Sequence, residues 1–473
     1  MTSTPIGSPQ RVKVHRGPRV AFSYLRFFRD PVGAIVEAYR RYGPLSAFGD
    51  VVPGRRGRLR VLALGPEFNR QVFGNPQLFR STRLTVPGPS NSAHVRLSRG
   101  LTALNGDYHR IERKLAAPLF AKSASQAFQE EITRRIDTSL ASWAVGSSVD
   151  LLEEAQRLVL DVTGAFLFGR TRLPAAVDLG FLLHGWMHRT WSPGVLLFPC
   201  DAPGTPYRSM LRLAEAIEAR INAELTEHLD AIRDGGGALA SWAEARARTP
   251  GVPLQWTVGQ MATLFLASFE TTTPSLAWTL FLLAQHPPVA RALLDELDAA
   301  LQGSPLDGAW ERLPYLDAVI RESLRILPPV PYTLRRAAGD SDLGGVKLAK
   351  GDLVLVSHYL THHLPELYPA PEEFRPERWF DANPDSFEYL PFSAGPRTCI
   401  GYFFAMSVLK TAVAAIIQRF RPRVVEGARI DRVVEVSMRP RHGLPMTLHG
   451  TGAELKAASV RGNIHEMVAL RPW

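Results

Sequence analysis

Apolar residues recur at spacings of three and four through residues 30–245, a pattern that places them on one face of a helix. The pattern predicts three helices in this region, over 31–42, 127–143 and 207–232. The third follows a Pro-Gly-Thr-Pro segment in which Thr205 is the expected N-cap and Pro206 the first helical residue. The first half of the chain is therefore predicted to be mainly helical.

The second half of the chain contains longer helical patterns. They predict three further helices, over 254–286, 314–327 and 402–419. Two short apolar runs, 60–63 and 353–357, are typical of strands. Residues 364–400 are rich in Pro, Glu and Arg and lack periodicity. This distribution predicts one large, mainly α domain with small β-sheets.

The two ends of the chain lack this patterning. We expect a flexible leader over residues 1–20, the domain over 21–450 and a C-terminal tail over 451–473. The leader is polar and basic and has no apolar segment of the kind found in secretory signals. No apolar run reaches the ~18–20 residues that a membrane-spanning helix needs. We therefore expect a cytoplasmic protein without a transmembrane segment.

The composition excludes several classes of protein. Of 473 residues, 45% are hydrophobic and 21% charged, so the chain is globular rather than disordered or fibrous. Lys and Arg number 55 and Asp and Glu 45, which gives a net charge of +10. The basic residues are scattered without interleaved aromatics, so an acidic protein partner is favoured over nucleic acid. Ordinary solvated surface charge is the alternative.

The chain has two cysteines, Cys200 and Cys399, which excludes a disulfide scaffold. Cys200 lies in an apolar segment with no supporting motif. Cys399 lies in the segment FSAGPRTCIG, residues 392–401, which carries the pattern F-x-x-G-x-R-x-C-x-G. An inert cysteine in a glycine-rich turn is the alternative to a functional thiol here.

Each fixed position of this segment has a chemical reason. Cys399 can act as a metal thiolate where backbone N–H groups and positive charge lower its pKa. Gly395 and Gly401 allow a tight turn and close approach to a flat ligand. Arg397 is a forked donor suited to a carboxylate, and Phe392 offers an apolar cover for the sulfur. A helix beginning near Gly401 would direct its N–H groups at the thiolate.

The segment resembles the haem-binding loop of the cytochrome P450 family. The resemblance implies a single-domain cytochrome P450-like fold that binds haem b, with Cys399 as the iron ligand and Phe392, Arg397 and Gly401 beside the haem. It implies a haem-thiolate monooxygenase that activates O2 and hydroxylates or epoxidises a hydrophobic small molecule. Because the chain carries no flavin or pyridine-nucleotide fingerprint, we expect electrons from a separate ferredoxin or flavodoxin with its reductase.

A second motif of the family is E-x-x-R, found here as Glu322 and Arg325. The spacing puts both side chains on one helix face, which alone also fits a surface ion pair. The segment 374–379, FRPERW, resembles the family's downstream partner of this motif. The resemblance implies a buried, structural network of Glu322, Arg325 and Arg378.

An acid followed by an alcohol, Glu270 and Thr271, interrupts the apolar pattern of the predicted helix 254–286. A solvated stripe, or hydroxyls bonded back to the helix, would also account for these residues. The resemblance is to the family's acid–alcohol pair, which implies a catalytic role in proton delivery. Ser268 replaces the family's usual glycine, and Pro274 is expected to kink the helix one turn later.

Three basic residues match the family's positions for haem propionates. His109 and Arg113 form an H-x-x-x-R element on one face of a predicted helix, and Arg335 follows the E-x-x-R helix. A surface cation is the alternative at each position. The spacing favours Arg335 over its neighbour Arg336.

The resemblance also implies an apolar substrate pocket, consistent with a fatty acid, terpenoid, steroid or polyketide. Its expected lining includes Phe265, Ala267, Ser268, Val330, Tyr332 and Met438.

Two different functions compete with this interpretation. His358, His362 and His363 have the H-x-x-x-H-H spacing of a histidine box in membrane di-iron enzymes. Such enzymes need several boxes and spanning helices, and the sequence offers one box and no such helix. A haem-binding sensor or carrier is the other alternative, and the acid–alcohol pair disfavours it because a carrier needs no proton delivery.

Overall fold

A computed structural model gives the structure of the chain and describes residues 14–15, 25–49, 58–83, 85–250, 256–301 and 312–470. The chain divides into two compact units. The first, called the sheet unit below, comprises residues 1–82, 330–371 and 384–398. The second, called the helical unit, comprises residues 83–329, 372–383 and 399–473.

The elements are numbered in chain order. The α-helices are α1 (Pro31–Tyr42), α2 (Pro66–Gly74), α3 (Ala93–Leu97), α4 (Gly106–Ala116), α5 (Lys122–Ala127), α6 (Gln129–Leu140), α7 (Leu151–Phe168), α8 (Leu173–Thr190), α9 (Pro193–Leu197), α10 (Pro206–Thr226), α11 (Leu229–Asp234), α12 (Ala238–Ala247), α13 (Thr257–Phe269), α14 (Thr272–Gln285), α15 (Pro287–Leu301), α16 (Pro314–Ile326), α17 (His358–His362), α18 (Arg378–Asp381) and α19 (Tyr402–Arg419). The strands are β1 (Val14–His15), β2 (Leu45–Phe48), β3 (Arg60–Ala63), β4 (Phe79–Ser81), β5 (Ser148–Asp150), β6 (Tyr332–Ala337), β7 (Ser341–Leu343), β8 (Val346–Leu348), β9 (Leu353–Ser357), β10 (Arg421–Val424), β11 (Arg432–Val434), β12 (Met438–Pro440) and β13 (Pro445–His449).

The sheet unit is built on a mixed sheet with strand order β1-β2-β3-β9-β6-β4. β9 is central, pairing parallel to β3 and antiparallel to β6. Its sequence LVLVS is nearly all apolar, as expected for a strand covered on both faces. Val354 and Val356 are buried in a core with Phe73 and Leu390. This sheet fixes the position of Arg335, which lies opposite Val354 in the register.

The helical unit holds the longest helices and three small strand pairings. β10, β13 and β5 form one sheet, and β11 pairs with β12. The helix α14 is buried along almost its whole length, and the Trp278 indole N–H donates to the carbonyl of Met438 at 3.1 Å. Within the described part of the chain, no helix is both long enough and apolar enough to cross a membrane.

Several predicted bounds agree with the structure, and others differ. Helices 31–42 and 402–419 and strands 60–63 and 353–357 form over the predicted residues. Thr205 caps α10, its hydroxyl accepting the Arg208 N–H at 3.1 Å. The helix predicted over 207–232 is continuous to Thr226, where α10 ends. The chain leaves helical geometry at His228 (φ −122°, ψ 8°), and a separate helix, α11, follows from Leu229.

The prediction of one long helix over 254–286 is also wrong. The chain forms α13 and α14, with Glu270 and Thr271 between them in turn geometry. Pro274 explains the break, because it has no N–H to donate to the carbonyl of Glu270 four residues earlier, and its ring crowds that carbonyl. The kink expected from Pro274 is therefore an interruption that begins one turn before it.

The chain ends differ from each other. The predicted leader lies outside the described residues except for Val14–His15, which pair with β2. The predicted tail is packed on the helical unit, where Ile464 and Met467 are fully buried. The N–H of Ala469 donates to the carbonyl of Glu372 at 2.8 Å. Residues 458–469 therefore contribute to the core of the helical unit.

Candidate active site

Cys399 lies between a short 3₁₀ helix, Gly395–Arg397, and the N-terminus of α19, where Gly401 is the N-cap residue. Its side chain is accessible. The surrounding protein raises the pKa of the thiol by desolvation, while a hydrogen bond from the Gly401 N–H and the charge of Arg113 lower it. The groups expected to lower the pKa of Cys399 are therefore present, but in the free thiol the effect of desolvation is larger. Coordination to a metal ion would deprotonate the sulfur outright.

The backbone conformation and close packing at position 395, in the sheet unit, require a glycine. Its φ of +66° lies in the left-handed region, and a Cβ there would be 2.6 Å from the carbonyl oxygen of Phe73. A side chain would therefore be strained and would collide with the end of α2. The glycine brings the loop before Cys399 directly against that helix.

Two predicted propionate ligands, Arg335 and Arg397, both belong to the sheet unit. Burial and the neighbouring charge of Arg397 lower the pKa of Arg335 to about 10. Arg335 donates to the Leu334 carbonyl at 3.1 Å, and its guanidinium lies 5.2 Å from the centre of the Phe73 ring. Among the described residues it forms no ion pair with a carboxylate. A buried cation beside a second cation fits an anionic ligand such as a propionate.

His109 and Arg113 lie on α4 in the helical unit, four residues apart. His109 is buried. Burial lowers the pKa of Arg113, and the charge of Cys399 opposes that shift. The structure thus places Arg113 within electrostatic reach of the thiolate. Phe392 is half-buried and precedes Cys399 in the sheet unit.

Glu322 is fully buried at the centre of a network in the helical unit. Arg325 donates to its two oxygens at 2.9 Å each, and Arg378 donates to Oε1 at 2.8 Å. The structure therefore brings together the three residues that the resemblance indicated.

Two further donors to Glu322 were missed from the sequence. The Trp379 indole N–H donates at 3.0 Å and the Arg375 backbone N–H at 3.1 Å. Arg325 also donates to the carbonyl of Glu373 at 3.3 Å. The carboxylate is thus fully hydrogen-bonded, which is the condition under which a buried charge is tolerated.

Glu270 is also a deeply buried carboxylate of the helical unit, and its side chain is 6% exposed. The His184 Nδ1 lies 2.6 Å from Oε1, and the His188 Nε2 lies 3.5 Å from Oε2. Burial raises the pKa of Glu270, but the two imidazoles outweigh that effect and lower it to about 2. Glu270 is therefore ionised and held by histidines.

The cluster continues to the surface through His188. Its Nδ1 lies 2.6 Å from Glu435, which in turn accepts from Arg439 at 2.9 Å. Burial lowers the pKa of His188, but its two carboxylate partners raise it to about 9. The sequence carried a signal for these residues, since His184 and His188 are four apart on one helix face. Nothing in the sequence linked them to Glu270.

The hydroxyls beside Glu270 bond back to their own helix. Ser268 donates to the Leu264 carbonyl at 2.8 Å, and Thr271 to the Ala267 carbonyl at 3.2 Å. These bonds are the ordinary resting state of such residues in helices. Thr271 remains partly exposed at the helix break, where the chain has no continuous hydrogen-bond ladder.

The predicted substrate-pocket residues divide by exposure. Ala267 is exposed and Ser268 half-buried on α13. Phe265 and Met438 are fully buried, and Phe265 packs edge-on against Phe168 and Phe269. These two residues lie in the core rather than at an accessible surface. Val330 and Tyr332 are half-buried in the sheet unit, and burial raises the pKa of Tyr332 to about 12.

The candidate histidine box has local hydrogen-bond partners instead of a shared centre. His362 Nε2 accepts the Leu390 N–H at 2.8 Å, and His363 Nδ1 lies 2.8 Å from the Tyr359 carbonyl. His358 Nε2 lies 3.1 Å from the Thr333 hydroxyl. These contacts give each histidine a structural role in the sheet unit.

Three features together are typical of a haem-thiolate enzyme. They are the Cys399 segment, residues 392–401, the Glu322 network and the mainly helical architecture. A family model described as Cytochrome P450 matches residues 31–444. The chain belongs to the cytochrome P450 family.

Curated relatives match most of the chain. Cyclooctat-9-en-7-ol 5-monooxygenase of Streptomyces melanosporofaciens is 31% identical over 400 residues, covering 82% of this chain and 85% of the relative. Cyclooctatin synthase of the same organism is 31% identical over 412 residues, covering 83% and 87%. The solved structure of cyanobacterial CYP120A1 with bound retinoic acid is 25% identical, with a TM-score of 0.77, and covers 90% of this chain and 96% of its own.

These findings confirm the predicted single-domain P450 fold, mainly α with small β-sheets, and the predicted activity class. The protein is a cytochrome P450 monooxygenase whose cofactor is haem b. The residues present fit that group: an accessible thiol that receives an N–H and faces a cation, and a buried arginine suited to a propionate. The domain limits at residues 20 and 450 stay predictions.

Proposed function

We propose that the enzyme hydroxylates or epoxidises a largely hydrocarbon, isoprenoid-type substrate. The relatives named above act on cyclooctat-9-en-7-ol or make cyclooctatin, and the structural neighbour binds retinoic acid. These molecules share an extended apolar carbon skeleton with few polar groups. The accessible residues of α13 nearest Glu270, Ala267 and Ser268, suit such a surface because they are small.

The observation that carries the function is the surroundings of Cys399. Haem b bound through this sulfur supplies O2 activation, since a thiolate ligand favours O–O cleavage. Cys399 is the iron ligand, and the Gly401 N–H and Arg113 stabilise its negative charge. Arg335 and Arg397 bind propionate, and His109 contributes from α4. Glu322, Arg325 and Arg378 fix the helical core.

Proton delivery is assigned to the break between α13 and α14. Glu270 is buried, yet its partner His184 is 32% exposed, so protons can pass between solvent and the carboxylate through an imidazole. Thr271 is next to Glu270 and is partly exposed. Its hydroxyl donates to the Ala267 carbonyl at 3.2 Å and would be available to hold a proton near a haem bound at Cys399.

The electron donor is proposed to be an acidic ferredoxin or flavodoxin, supplied with electrons by its reductase. The net charge of +10 favours encounter with an acidic protein. A cytoplasmic location is proposed with it, because these donors are cytoplasmic proteins in bacteria.

The thiolate assignment is tested by the spectrum of the reduced, CO-bound enzyme. Cys399→Ala should abolish the red-shifted Soret band of a thiolate-ligated haem, and the matched variant Cys200→Ala should retain it. A normal band in Cys399→Ala would refute the assignment.

The substrate class is tested by titrating the oxidised enzyme with matched ligands. Cyclic isoprenoid alcohols and retinoic acid should shift the haem iron from low to high spin at lower concentration than fatty acids of similar carbon number. Equal or stronger shifts with the fatty acids would contradict the isoprenoid proposal.

The role of the Thr271 hydroxyl is tested by measuring the fraction of consumed electrons that is recovered in product. Thr271→Ala should lower that fraction, because oxygen then leaves as peroxide or water. Thr226→Ala removes a hydroxyl with the same back-bonded geometry at an exposed position of α10, so it should leave coupling unchanged. Unchanged coupling in Thr271→Ala would remove that residue from the mechanism.

A further inference from the structure

Three ligand-type side chains meet in the helical unit. His184, His188 and Glu270 each offer one ligand atom, and these atoms lie within 4.8 Å of one another. Two imidazole nitrogens and one carboxylate oxygen form a donor set that binds borderline divalent metal ions.

The positions of the three side chains are fixed by secondary structure. His184 and His188 lie on α8, and their ring centres are 4.2 Å apart. Their spacing of four residues puts both on one helix face, the arrangement that helical metal sites use. Glu270 is the C-cap residue of α13, and its N–H donates to the Leu266 carbonyl at 2.9 Å. The ligands therefore come from two elements that packing holds in place.

A second layer of residues orients His188. Its Nδ1 lies 2.6 Å from the Glu435 carboxylate, which Arg439 holds at 2.9 Å. The Glu435 carboxylate at Nδ1 orients the ring so that Nε2 faces Glu270, and Nε2 would release its proton when it binds a metal ion. That Nε2 is buried and has no hydrogen-bond partner within the described residues, since Glu270 Oε2 is 3.5 Å away. A metal ion would satisfy this nitrogen.

We propose that His184, His188 and Glu270 form a binding site for a divalent transition metal ion, for which Zn²⁺ is the probe. Three protein ligands leave a position for water, as in open zinc sites. His184 is 32% exposed and gives the ion a route from solvent. Protons now shared among these groups would be released on binding.

Metal binding would have one consequence for turnover, and only this consequence rests on the proposed function. Glu270 as a metal ligand can no longer accept and pass on protons. Zn²⁺ should therefore inhibit product formation reversibly, and a chelator should restore it.

The binding test uses the haem-loaded enzyme and isothermal titration with Zn²⁺ alone. We expect one Zn²⁺ per chain in the parent protein and no binding at this site in His188→Gln. His228→Gln removes a histidine outside the site, the N-cap residue of α11, and should bind Zn²⁺ with the affinity of the parent. Each variant is first checked for the thiolate-haem CO spectrum, which reports an intact fold independently of zinc.

Glu435→Gln provides a second variant that leaves all three ligands in place. Loss of the orienting carboxylate should weaken Zn²⁺ binding by about 10–100-fold. The proposal is overturned if the parent binds no Zn²⁺, or if His188→Gln and Glu435→Gln both bind it with parental affinity. Zinc binding without inhibition would leave the metal site standing and would refute the role of Glu270 in proton delivery.

Discussion

Glu322 and Glu270 are both buried carboxylates of the helical unit, but their partners differ in kind. Glu322 accepts from two guanidiniums, an indole N–H and a backbone N–H, all enclosed. Glu270 is held by two imidazoles, one of which reaches solvent. The first carboxylate has permanently charged guanidiniums among its partners, and the second has imidazoles, a side chain whose charge depends on pH.

This difference separates a network with one protonation state from a cluster whose protonation can change. A guanidinium stays protonated at any pH the fold survives, so the Glu322 network has one state. An imidazole can lose its proton within the pH range in which the fold survives, so the Glu270 cluster has more than one protonation state. Burial alone does not distinguish the two sites, whereas the chemistry of the partners does.

The largest expected effect is a loss of folding stability when the Glu322 network loses its carboxylate. Glu322→Gln leaves Arg325 and Arg378 buried with no compensating charge. The free energy of unfolding should fall by about 3–5 kcal/mol, measured by urea denaturation. Glu153→Gln, at an exposed position, is the control and should change stability by less than about 0.5 kcal/mol. A small loss in Glu322→Gln would mean that the network is not structural.

A smaller loss is expected when the same network loses one donor. Trp379→Phe keeps most of the packing but removes the indole N–H from Glu322 Oε2. A hydrogen bond to a charged group contributes about 1.5–3 kcal/mol, so the urea midpoint should drop by a corresponding amount. Trp143→Phe removes an indole N–H bonded to the less buried Glu154 and should cost less. Equal costs would show that the burial of Glu322 is not the reason.

The titratable cluster predicts a pH dependence that the Glu322 network lacks. The pKa of His188 is raised from 6.5 to about 9, so the folded state retains a proton that the unfolded state loses. The stabilisation is complete below pH 6.5 and declines as pH rises to about 9, by on the order of 3 kcal/mol. Unfolding measured with a chelator present should show this decline, and His188→Gln should reduce it. An identical slope in both proteins would contradict the assignment.

The smallest expected effect is the loss of folding stability when the Glu270 cluster loses its carboxylate. In Glu270→Gln the histidines can become neutral, so no buried charge is left uncompensated. The loss should be about 1 kcal/mol, well below that of Glu322→Gln, while product formation falls far more. Equal destabilisation by the two substitutions would erase the distinction between the sites.

The sequence predicts the parts of the fold that local pattern determines. Strand 353–357 and helix 402–419 form over the predicted residues because apolar runs bounded by turn residues leave one choice. The helix over 254–286 was predicted as continuous, since hydrophobicity continues through Glu270. Pro274 was the available signal, and its effect on the carbonyl four residues earlier placed the break.

The candidate site was predictable where a motif spans neighbouring positions. Cys399 and Arg397 lie in one segment, and Glu322 and Arg325 in another. His188 was missed because its partners Glu270 and Glu435 are distant in sequence, and such contacts arise only from packing. The direction of the Cys399 pKa shift was also missed, because desolvation depends on all surrounding atoms and not on the motif.

The segment after residue 450 has a practical consequence for protein engineering. Ile464 and Met467 are fully buried, and Ala469 is bonded to the backbone at Glu372, next to the carbonyl that receives Arg325. A reductase domain fused at residue 450 would remove these anchors and loosen the loop that carries Arg375 and Arg378. A junction placed beyond residue 470 would keep them. The boundary suggested by secondary structure alone is therefore the wrong place to join a second enzyme to this one.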